Sequence, residues 1–311
     1  MGDASVDTYV AVPFIAGPDQ KAIGSWLGVF GGGMAANFAA AAANAGARTS
    51  CLTVCGSDPA GQTLVKELSA HGVDTSGVVT VEGSITFQCF VQLDPSGEKA
   101  LFGAAPGKKV PDLSDLDPAL FQRGTYVYVL ADDIDWALEV AELARTQGAK
   151  VIVDLERTAI GANLEVALNL ASLSTIVFTN VGAFAELGLT NTEQIAQQFT
   201  DCACELLVIT NGRHGSSVHF QGRTVTATGL QVPVLDTTGA GDAHNGAFAG
   251  RLLQGDDIET ALRWATGMGA LCAMNLGPRG YLGQLRTDLP TLINQVEIHH
   301  EDMNSRLQDD E

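Results

Sequence analysis

From residue 49 onward, the chain alternates between short apolar runs and longer segments whose apolar positions recur every three or four residues. The short runs are typical of buried strands and the longer segments of helices that bury one face. Continuous apolar strands separated by helices predict an α/β fold, with a central, mostly parallel sheet and helices on both of its faces. No internal repeat or low-complexity linker divides the chain, so a single domain over residues 1–311 is predicted.

This pattern places the elements as follows. The predicted strands are residues 49–54, 126–130, 150–154, 175–179 and 206–210, followed by a hairpin of 216–220 and 224–228. The predicted helices are residues 61–71, 136–147, 193–202, 243–253 and 258–274.

Two extended segments interrupt the alternation. Residues 86–93 alternate in side-chain character, Asp94-Pro95-Ser96-Gly97 is typical of a turn, and residues 99–102 return. This pattern predicts a hairpin that projects from the main sheet. Residues 8–15 form a second extended stretch near the N-terminus.

The composition excludes several classes of function. The chain has 17 Lys and Arg residues against 36 Asp and Glu residues, a formal net charge of −19. Such a surface repels nucleic acid, so no nucleic-acid partner is expected. No apolar run approaches the roughly 20 residues of a membrane span, and no signal-peptide pattern precedes the domain, so we expect a cytoplasmic protein without a membrane partner.

The six cysteines lack the spacing of a zinc site and suit free thiols in a reducing compartment. The C-terminal residues 301–311 are predicted to form an acidic tail, and residues 299–302 a solvated face.

The strongest chemical signal is Asp236-Thr237-Thr238-Gly239-Ala240-Gly241-Asp242, which an apolar helix follows at once. The glycines let the backbone turn tightly and approach a ligand, and the first helical turn offers unpaired N–H groups to an anion. A carboxylate at the same place suits a general base that takes a proton from an attacking hydroxyl. We therefore predict phosphoryl transfer to an alcohol, with Asp242 as the base and the backbone of Gly239, Ala240 and Gly241 as the anion hole. The alternative is an ordinary glycine-rich turn with a capping Asp.

This segment resembles the signature of the ribokinase-like (PfkB) family of carbohydrate and nucleoside kinases. Two further family signatures stand upstream in the expected order, Gly2-Asp3-Ala4-Ser5-Val6-Asp7 and Gly32-Gly33-Met34-Ala35-Ala36-Asn37. The resemblance implies an ATP-dependent kinase that phosphorylates a hydroxymethyl group of a small sugar or nucleoside. It also implies a ribokinase-like fold with a small β lid, from about residues 8–30 and 83–105, that closes over the acceptor and pairs two subunits into a homodimer.

The resemblance implies the residues that bind each substrate. The acceptor is expected at Asp7, Gly32, Gly33 and Asn37, with Asp132 on a third side, although Asp133 and Asp135 are adjacent candidates. The nucleotide is expected at Asn180, Thr210, Gly212 and Gly215. Asp236, Thr238 and the loop 275–280 correspond to a region that binds a monovalent cation, where K⁺ would order the anion-hole loop.

Phosphoryl transfer requires Mg²⁺ on chemical grounds, and the chain departs from the family pattern where Mg²⁺ is organised. The expected Glu at position 183 is Ala183 here, which leaves Glu186 and Asp154 as candidate replacements. Met34 replaces a Lys that ribokinases often carry, which weakens the case for ribose itself. Only Met1 precedes the first motif, so we expect either a start upstream or a sheet rearranged around the gap.

Two other functions remain open. A catalytically weak sugar- or nucleoside-binding module would explain Ala183, but it would have no use for a base aimed at phosphate. A dinucleotide-dependent oxidoreductase is suggested only by Gly31-Gly32-Gly33, which lacks the required glycine spacing. The low aromatic content, 6%, leaves Phe14, Trp26, Phe87 and Phe102 as candidates to stack on a base, and therefore favours a sugar over a nucleoside.

Overall fold

The computed structural model describes residues 1–95, 99–104 and 108–302, apart from the side chains of residues 162 and 302. The strands within these ranges are β1 (Ser5–Ala11), β2 (Ser25–Gly32), β3 (Thr53–Gly56), β4 (Val78–Val81), β5 (Gln88–Leu93), β6 (Lys99–Ala104), β7 (Tyr126–Leu130), β8 (Lys150–Leu155), β9 (Ile176–Asn180), β10 (Leu206–Thr210), β11 (Gly215–Phe220), β12 (Arg223–Thr228) and β13 (Ile298–Asp302). The helices are α1 (Met34–Asn44), α2 (Pro59–Ala70), α3 (Ile134–Thr146), α4 (Arg157–Ala162), α5 (Leu164–Ser172), α6 (Thr192–Gln198), α7 (Ala240–Leu253), α8 (Ile258–Ala273) and α9 (Leu289–Gln295). None of these described helices has the length and apolar character needed to cross a bilayer.

A seven-stranded sheet in the order β13-β12-β11-β10-β9-β8-β7 forms the centre of the fold. Strands β7 to β10 are parallel, and β12 shares their direction because β11 is antiparallel to both of its neighbours. Successive side chains of β8 point to opposite faces: Val151 and Val153 pack with α3 to α6, whereas Ile152 packs with α1, α7 and α8. This confirms the predicted α/β sheet covered by helices on both faces.

A separate four-stranded sheet, in the order β2-β1-β5-β6, projects from this body. We call it the lid sheet. Its inner face includes Asp7 of β1, opposite Cys89 of β5 and Phe30 of β2. Its outer face includes Thr8 and Val10, which pair with Phe90 and Gln92 of β5.

Several predicted boundaries were wrong. Residues 49–52 make only a single bridge, between Ser50 and Asp74, and β3 starts at Thr53 where pairing with β4 begins. Helix α6 ends at Gln198, because Phe199 turns inward and packs against Phe184. Helices α4, α5 and α9 were not predicted.

The C-terminal prediction needs a related correction. Residues 301 and 302 lie in β13, whose backbone pairs with β12, so the predicted acidic tail does not start at 301. Residues 299–301 are exposed, as the predicted solvated face requires. Residues 303–311, the turn residues 96 and 97, and the predicted lid limit at residue 105 lie outside the described residues.

Met1 and Gly2 connect the seven-stranded sheet to the segment that precedes β3. The Met1 amino group donates to Tyr128 O, Leu130 N donates to Met1 O, and Gly2 N donates to Leu52 O. The backbone of Met1 therefore pairs with the free edge of β7, and Gly2 continues to Leu52.

Helices α1 and α7 pack closely along a repeating ridge. Gly246 faces Ala41 and Gly250 faces Ala45, and a Cβ added at Gly246 would lie 2.5 Å from Phe38 O. The same four-residue step toward the N-termini brings Asn37 against Asp242, with Asn37 Nδ2 2.8 Å from Asp242 Oδ2. The helices thus run parallel, and their N-termini lie side by side.

We predict that Gly246→Ala lowers the free energy of unfolding by about 1–3 kcal/mol, because the added methyl group must push the two backbones apart. Chemical denaturation measures the change. Gly283→Ala is the matched control, since an added Cβ there meets nothing within 4 Å. Equal stability of the two variants would contradict this account of the packing.

Candidate functional site

The glycine turn predicted as an anion hole forms the N-terminus of α7. Gly239 caps the helix with φ 78°, a left-handed conformation in which an added Cβ would lie 2.6 Å from the Pro278 side chain. Helix α7 begins at Ala240, so Asp242 stands in its first turn. Nothing lies within 4 Å of a Cβ placed at Gly241, which leaves open space in front of the turn. Ala240 N donates to Thr237 O at 3.3 Å, whereas the other N–H groups of the first turn have no partner within the helix, so this turn suits an anion.

Asp242 is buried beside this turn. Burial raises the pKa of its carboxyl group well above the usual range, while the hydrogen bond from Asn37 lowers it. The nearby carboxylates of Asp154 and Glu156 raise it further. A carboxylate with a raised pKa beside such a turn is suited to accept a proton.

The first two predicted acceptor motifs meet in the lid sheet. Asp7 lies on β1 beside the end of β2, and a Cβ added at Gly32 would lie 2.2 Å from Asp7 Oδ2. Gly33, with φ 87°, caps α1 and approaches the backbone of Ala4. Ser5 Oγ donates to Asp7 Oδ1 at 2.7 Å. Burial raises the pKa of Asp7 to about 6, and the Ser5 hydrogen bond lowers it in part.

Asp236 ties the start of the glycine turn to the loop that follows α8. Its Oδ1 accepts hydrogen bonds from the backbone N and the hydroxyl of Thr238, at 2.9 and 2.7 Å, and its Oδ2 accepts from Gly277 N at 3.1 Å. Tyr9 of the lid sheet is buried nearby, and its hydroxyl has no hydrogen-bond partner among the described residues. The predicted cation residues Asp236 and Thr238 are therefore brought together with part of the loop 275–280.

Lys99 connects the lid sheet to the same turn. Its ammonium donates to Thr238 Oγ1 at 2.8 Å and to Thr237 Oγ1 at 3.2 Å. A positive charge from the lid thus stands immediately before the anion-binding turn.

The carboxyl ends of β8 and β9 carry the candidates for magnesium. Asp154 is buried and accepts hydrogen bonds from Tyr128 and Asn245, each at 3.1 Å. Asn180 donates to Glu156 Oε1 at 3.3 Å. Burial raises the pKa of Asp154 and of Glu156, and the charge of Asp154 raises the pKa of Glu156 further.

Glu186 is not brought to these carboxylates. Its side chain is exposed and pairs with Arg157 at 3.7 Å. Ala183, at the position where the motif has Glu, packs in the hydrophobic core, and its backbone N donates to Asn180 Oδ1. Across the part of the chain that the structure describes, no three His, Cys, Asp or Glu side chains are grouped so that they alone could hold a metal ion.

The predicted nucleotide turn lies at the end of β10. Thr210 Oγ1 is 3.5 Å from Thr179 O, at the junction of β9 and β10. Gly212 and Gly215 both have positive φ, and a Cβ at Gly215 would lie 1.9 Å from Ala227 O. These residues share the carboxyl edge of the sheet with Asn180, which is the edge where α/β proteins bind ligands.

Asp132 follows β7 on the acceptor side. It forms an ion pair with Lys109, and Thr158 Oγ1 lies 3.4 Å from its Oδ1. Asp133 instead caps α3 by accepting a hydrogen bond from Trp136 N. This favours Asp132 over Asp133 as the residue that faces the site.

Three residues near the site were missed by the sequence analysis: Lys99, Glu156 and Arg279. Each lies outside a recognised motif and reaches the site through the fold. Only Glu156 could have been found from the sequence, because it follows Asp154, the acid at the end of the predicted strand 150–154, by two residues.

Comparison with known proteins identifies the family. The family model described as pfkB family carbohydrate kinase matches residues 1–281. A ribokinase of Haemophilus influenzae is 27% identical over 305 residues, which cover 94% of this chain and 96% of the relative. An ATP-dependent ribose-1-phosphate kinase of Halopiger xanaduensis is 29% identical over 249 residues, 80% of this chain and 82% of the relative.

Solved structures agree on the fold. The crystal structure of ribokinase from Thermotoga maritima superposes with a TM-score of 0.78 at 20% identity, covering 94% of this chain and 98% of that one. Arabidopsis thaliana ribokinase complexed with ribose and ATP superposes with a TM-score of 0.75 at 24% identity, over 94% and 96% of the two chains. With the family model matched over most of its length, this chain belongs to the pfkB family of carbohydrate kinases.

Proposed function

We propose that this protein transfers the γ-phosphate of ATP to a hydroxymethyl group of a small sugar, with Asp242 as the general base. The observation that carries the proposal is a buried carboxylate in the first turn of α7, beside a glycine turn that faces open space. A capping Asp in an ordinary turn would have no need of that space.

The chemistry follows from this arrangement. As the acceptor hydroxyl oxygen bonds to the γ-phosphorus, the bond from phosphorus to the bridging oxygen breaks and ADP leaves. The hydroxyl proton passes to Asp242. The amides of Gly239, Ala240 and Gly241 stabilise the charge on the transferring group, because they are fixed in place before the reaction begins.

The acceptor would be held from the lid side. The Asp7 carboxylate can accept hydrogen bonds from two sugar hydroxyls. Gly32 and Gly33 present backbone rather than side chain to the same space, and Asn37 and Asp132 border it. Lys99 would add a positive charge beside the transferring phosphoryl group.

ATP would lie along the carboxyl edge of the sheet, at Asn180, Thr210, Gly212 and Gly215. The residues fit Mg²⁺, because Asp154 is buried and Glu156 half-buried, and the charge of Asp154 raises the pKa of Glu156. A divalent cation would relieve that repulsion. Mg²⁺ keeps several waters and binds one or two carboxylates together with substrate phosphates, so it needs no cage of protein ligands. When bound, it neutralises charge on the β- and γ-phosphate oxygens.

A K⁺ ion would fit behind the glycine turn. Asp236 and the unpartnered Tyr9 hydroxyl supply oxygens there, and hard cations prefer oxygen ligands. Bound there, the ion would help to order the loop of Gly277 beside Thr238.

A sugar is favoured over a nucleoside as the acceptor. Of the four aromatic candidates, Trp26 and Phe102 belong to the outer face of the lid sheet and Phe14 is exposed, which leaves Phe87 beside Lys109. Phe30, on the inner face, packs edge-on against Tyr9. The relatives named above act on ribose or ribose 1-phosphate by name, and others are named 2-dehydro-3-deoxygluconokinase and fructokinase.

We also propose a homodimer that forms through the outer face of the lid sheet. Trp26, Val29 and Phe102 are 65%, 47% and 56% exposed there. A cluster of apolar side chains this exposed is typical of a surface that another protein covers.

The first prediction from this proposed function concerns the reaction itself. ADP release from Mg²⁺-ATP will depend on one acceptor in a panel of ribose, ribose 1-phosphate, fructose, 2-dehydro-3-deoxygluconate and nucleosides, with KCl and NaCl compared. Asp242→Asn will lower kcat by about 10²–10⁴-fold, the range for loss of a general base, and leave nucleotide affinity nearly intact.

Asp257→Asn is the control, because Asp257 caps α8 by accepting from Thr260 N and lies in no predicted site. If the folded protein releases no ADP with any acceptor of the panel, a binding module would be favoured instead of a kinase. Equal losses of kcat and nucleotide affinity in Asp242→Asn would remove Asp242 as the base.

The second prediction concerns Asp7. Because its pKa is raised to about 6, the acceptor KM will rise as the pH falls through about 6, where the carboxylate becomes protonated and stops accepting hydrogen bonds. Ser5→Ala removes a hydrogen bond that lowers this pKa, so the rise in KM will begin at a higher pH. An acceptor KM that does not change with pH in either protein would exclude Asp7 from the site.

The third prediction concerns assembly. Trp26→Lys will shift the protein from dimer to monomer in sedimentation equilibrium, because it places a charge in the proposed interface. Leu253→Lys is the control, since Leu253 is 41% exposed at the far end of α7. A Trp26→Lys protein that stays dimeric would place the interface elsewhere or rule it out.

A further inference from the structure

Arg279 lies in the loop after α8, and only 4% of its surface is exposed. A buried guanidinium must be neutralised and its N–H groups must be paired, since an unpaired buried charge is strongly destabilising. Glu67 of α2 meets both needs: Arg279 Nε and Nη2 donate to its two carboxylate oxygens at 3.1 and 3.2 Å.

The remaining nitrogen of this guanidinium reaches the candidate site. Arg279 Nη1 donates to Asn37 Oδ1 at 2.8 Å and to Gly32 O at 3.3 Å. Asn37 in turn donates from Nδ2 to Asp242 Oδ2 at 2.8 Å. A continuous chain of contacts therefore runs from Glu67 through Arg279 and Asn37 to Asp242.

These hydrogen bonds fix which way the Asn37 amide group is oriented. A guanidinium can only donate and an ionised carboxylate can only accept, so the amide oxygen must face Arg279 and the amide nitrogen must face Asp242. With the amide reversed, two donors would face each other on one side and two acceptors on the other. Without Arg279, the amide oxygen would have no partner to hold it in this orientation.

We propose that Arg279 is a positioning residue for phosphoryl transfer: it locks the Asn37 amide so that this amide donates to one oxygen of Asp242 and leaves the other oxygen for the acceptor hydroxyl. The proposal rests on the role of Asp242 as general base. Arg279 also holds Gly32 O, so the same side chain anchors the glycine turn that borders the acceptor.

The other groups whose charges act on Asp242 come from several elements and remain in place when Arg279 is changed. They are Asp3, Lys99, Tyr128, Asp154, Glu156, Cys272 and Tyr281. Loss of the Arg279 charge would itself raise the pKa of Asp242, so the loss of the oriented Asn37 hydrogen bond is reported by Arg279→Lys, which keeps the charge.

The test is the pH dependence of kcat for Arg279→Met, measured with Mg²⁺-ATP and the acceptor that the panel identifies. We expect kcat to fall by about 10–100-fold, as for loss of a residue that orients a functional group. We also expect the acidic limb of the profile to move to higher pH, because the hydrogen bond from Asn37 lowers the pKa of Asp242. Nucleotide affinity will stay close to that of the unchanged protein.

Two further variants separate positioning from general damage. Arg251→Met removes a comparable arginine, which binds Asp256 and Ala45 O at the other end of α7, and it will leave the pH profile unchanged. In an Asn37→Ala background, Arg279→Lys, which keeps the charge, will produce no further shift of the acidic limb, because the group through which it acts is gone.

A loss of kcat in Arg279→Met with an unshifted acidic limb, or an equal shift for Arg279→Lys with and without Asn37→Ala, would overturn the proposal. If Arg279→Met does not fold, Arg279→Lys keeps the charge without the planar fork, and a shift in the same direction is expected. Failure of the base assignment is distinguishable, because Asp242→Asn would then retain kcat whatever Arg279 does.

Discussion

The parallel packing of α1 against α7 is the constraint on which the candidate site depends. Small residues at every fourth position let the two helices approach closely, and Asn37 and Asp242 occupy the last step of that ridge. Both helices begin at a glycine with positive φ, so two positive helix ends lie side by side. The first N–H groups of α1 already donate to Asp3, which leaves the start of α7 to meet an anion. A phosphoryl group approached by an acceptor is an anion that such a place can stabilise.

Beside these positive helix ends lie several acidic side chains that are largely removed from water. Asp7, Asp154, Glu156 and Asp242 all have raised pKa values because burial disfavours their charged forms. Each acid is held by neutral donors such as Ser5, Asn180 or Asn245 rather than by a salt bridge among the described residues. Proton acceptance by Asp242 is favourable for this reason, because protonation removes a charge that the protein solvates poorly.

The sequence could predict those parts of the site whose chemistry is local. Gly239, Gly241 and Asp242 are adjacent, and their spacing alone predicts a turn, a helix start and an acid in its first turn. The contacts of Lys99 with Thr238 and of Arg279 with Asn37 join residues 139 and 242 positions apart, so no local pattern carries them. Glu186 was a reasonable candidate by helical spacing, but Ala183 turns into the core and Glu186 faces solvent with Arg157, so that turn presents no acid to the site.

The two hydrogen bonds of Lys99 join the lid sheet to the turn that we propose binds phosphate. Any movement of β6 away from the body must break them, so the position of the lid and the order of the threonines before the glycine turn are linked thermodynamically. Linkage is reciprocal: a ligand that orders one of these elements strengthens the binding of a ligand that orders the other, by the same factor. With the sites as proposed, a single lysine on a β-hairpin would link the binding of one substrate to the binding of the other.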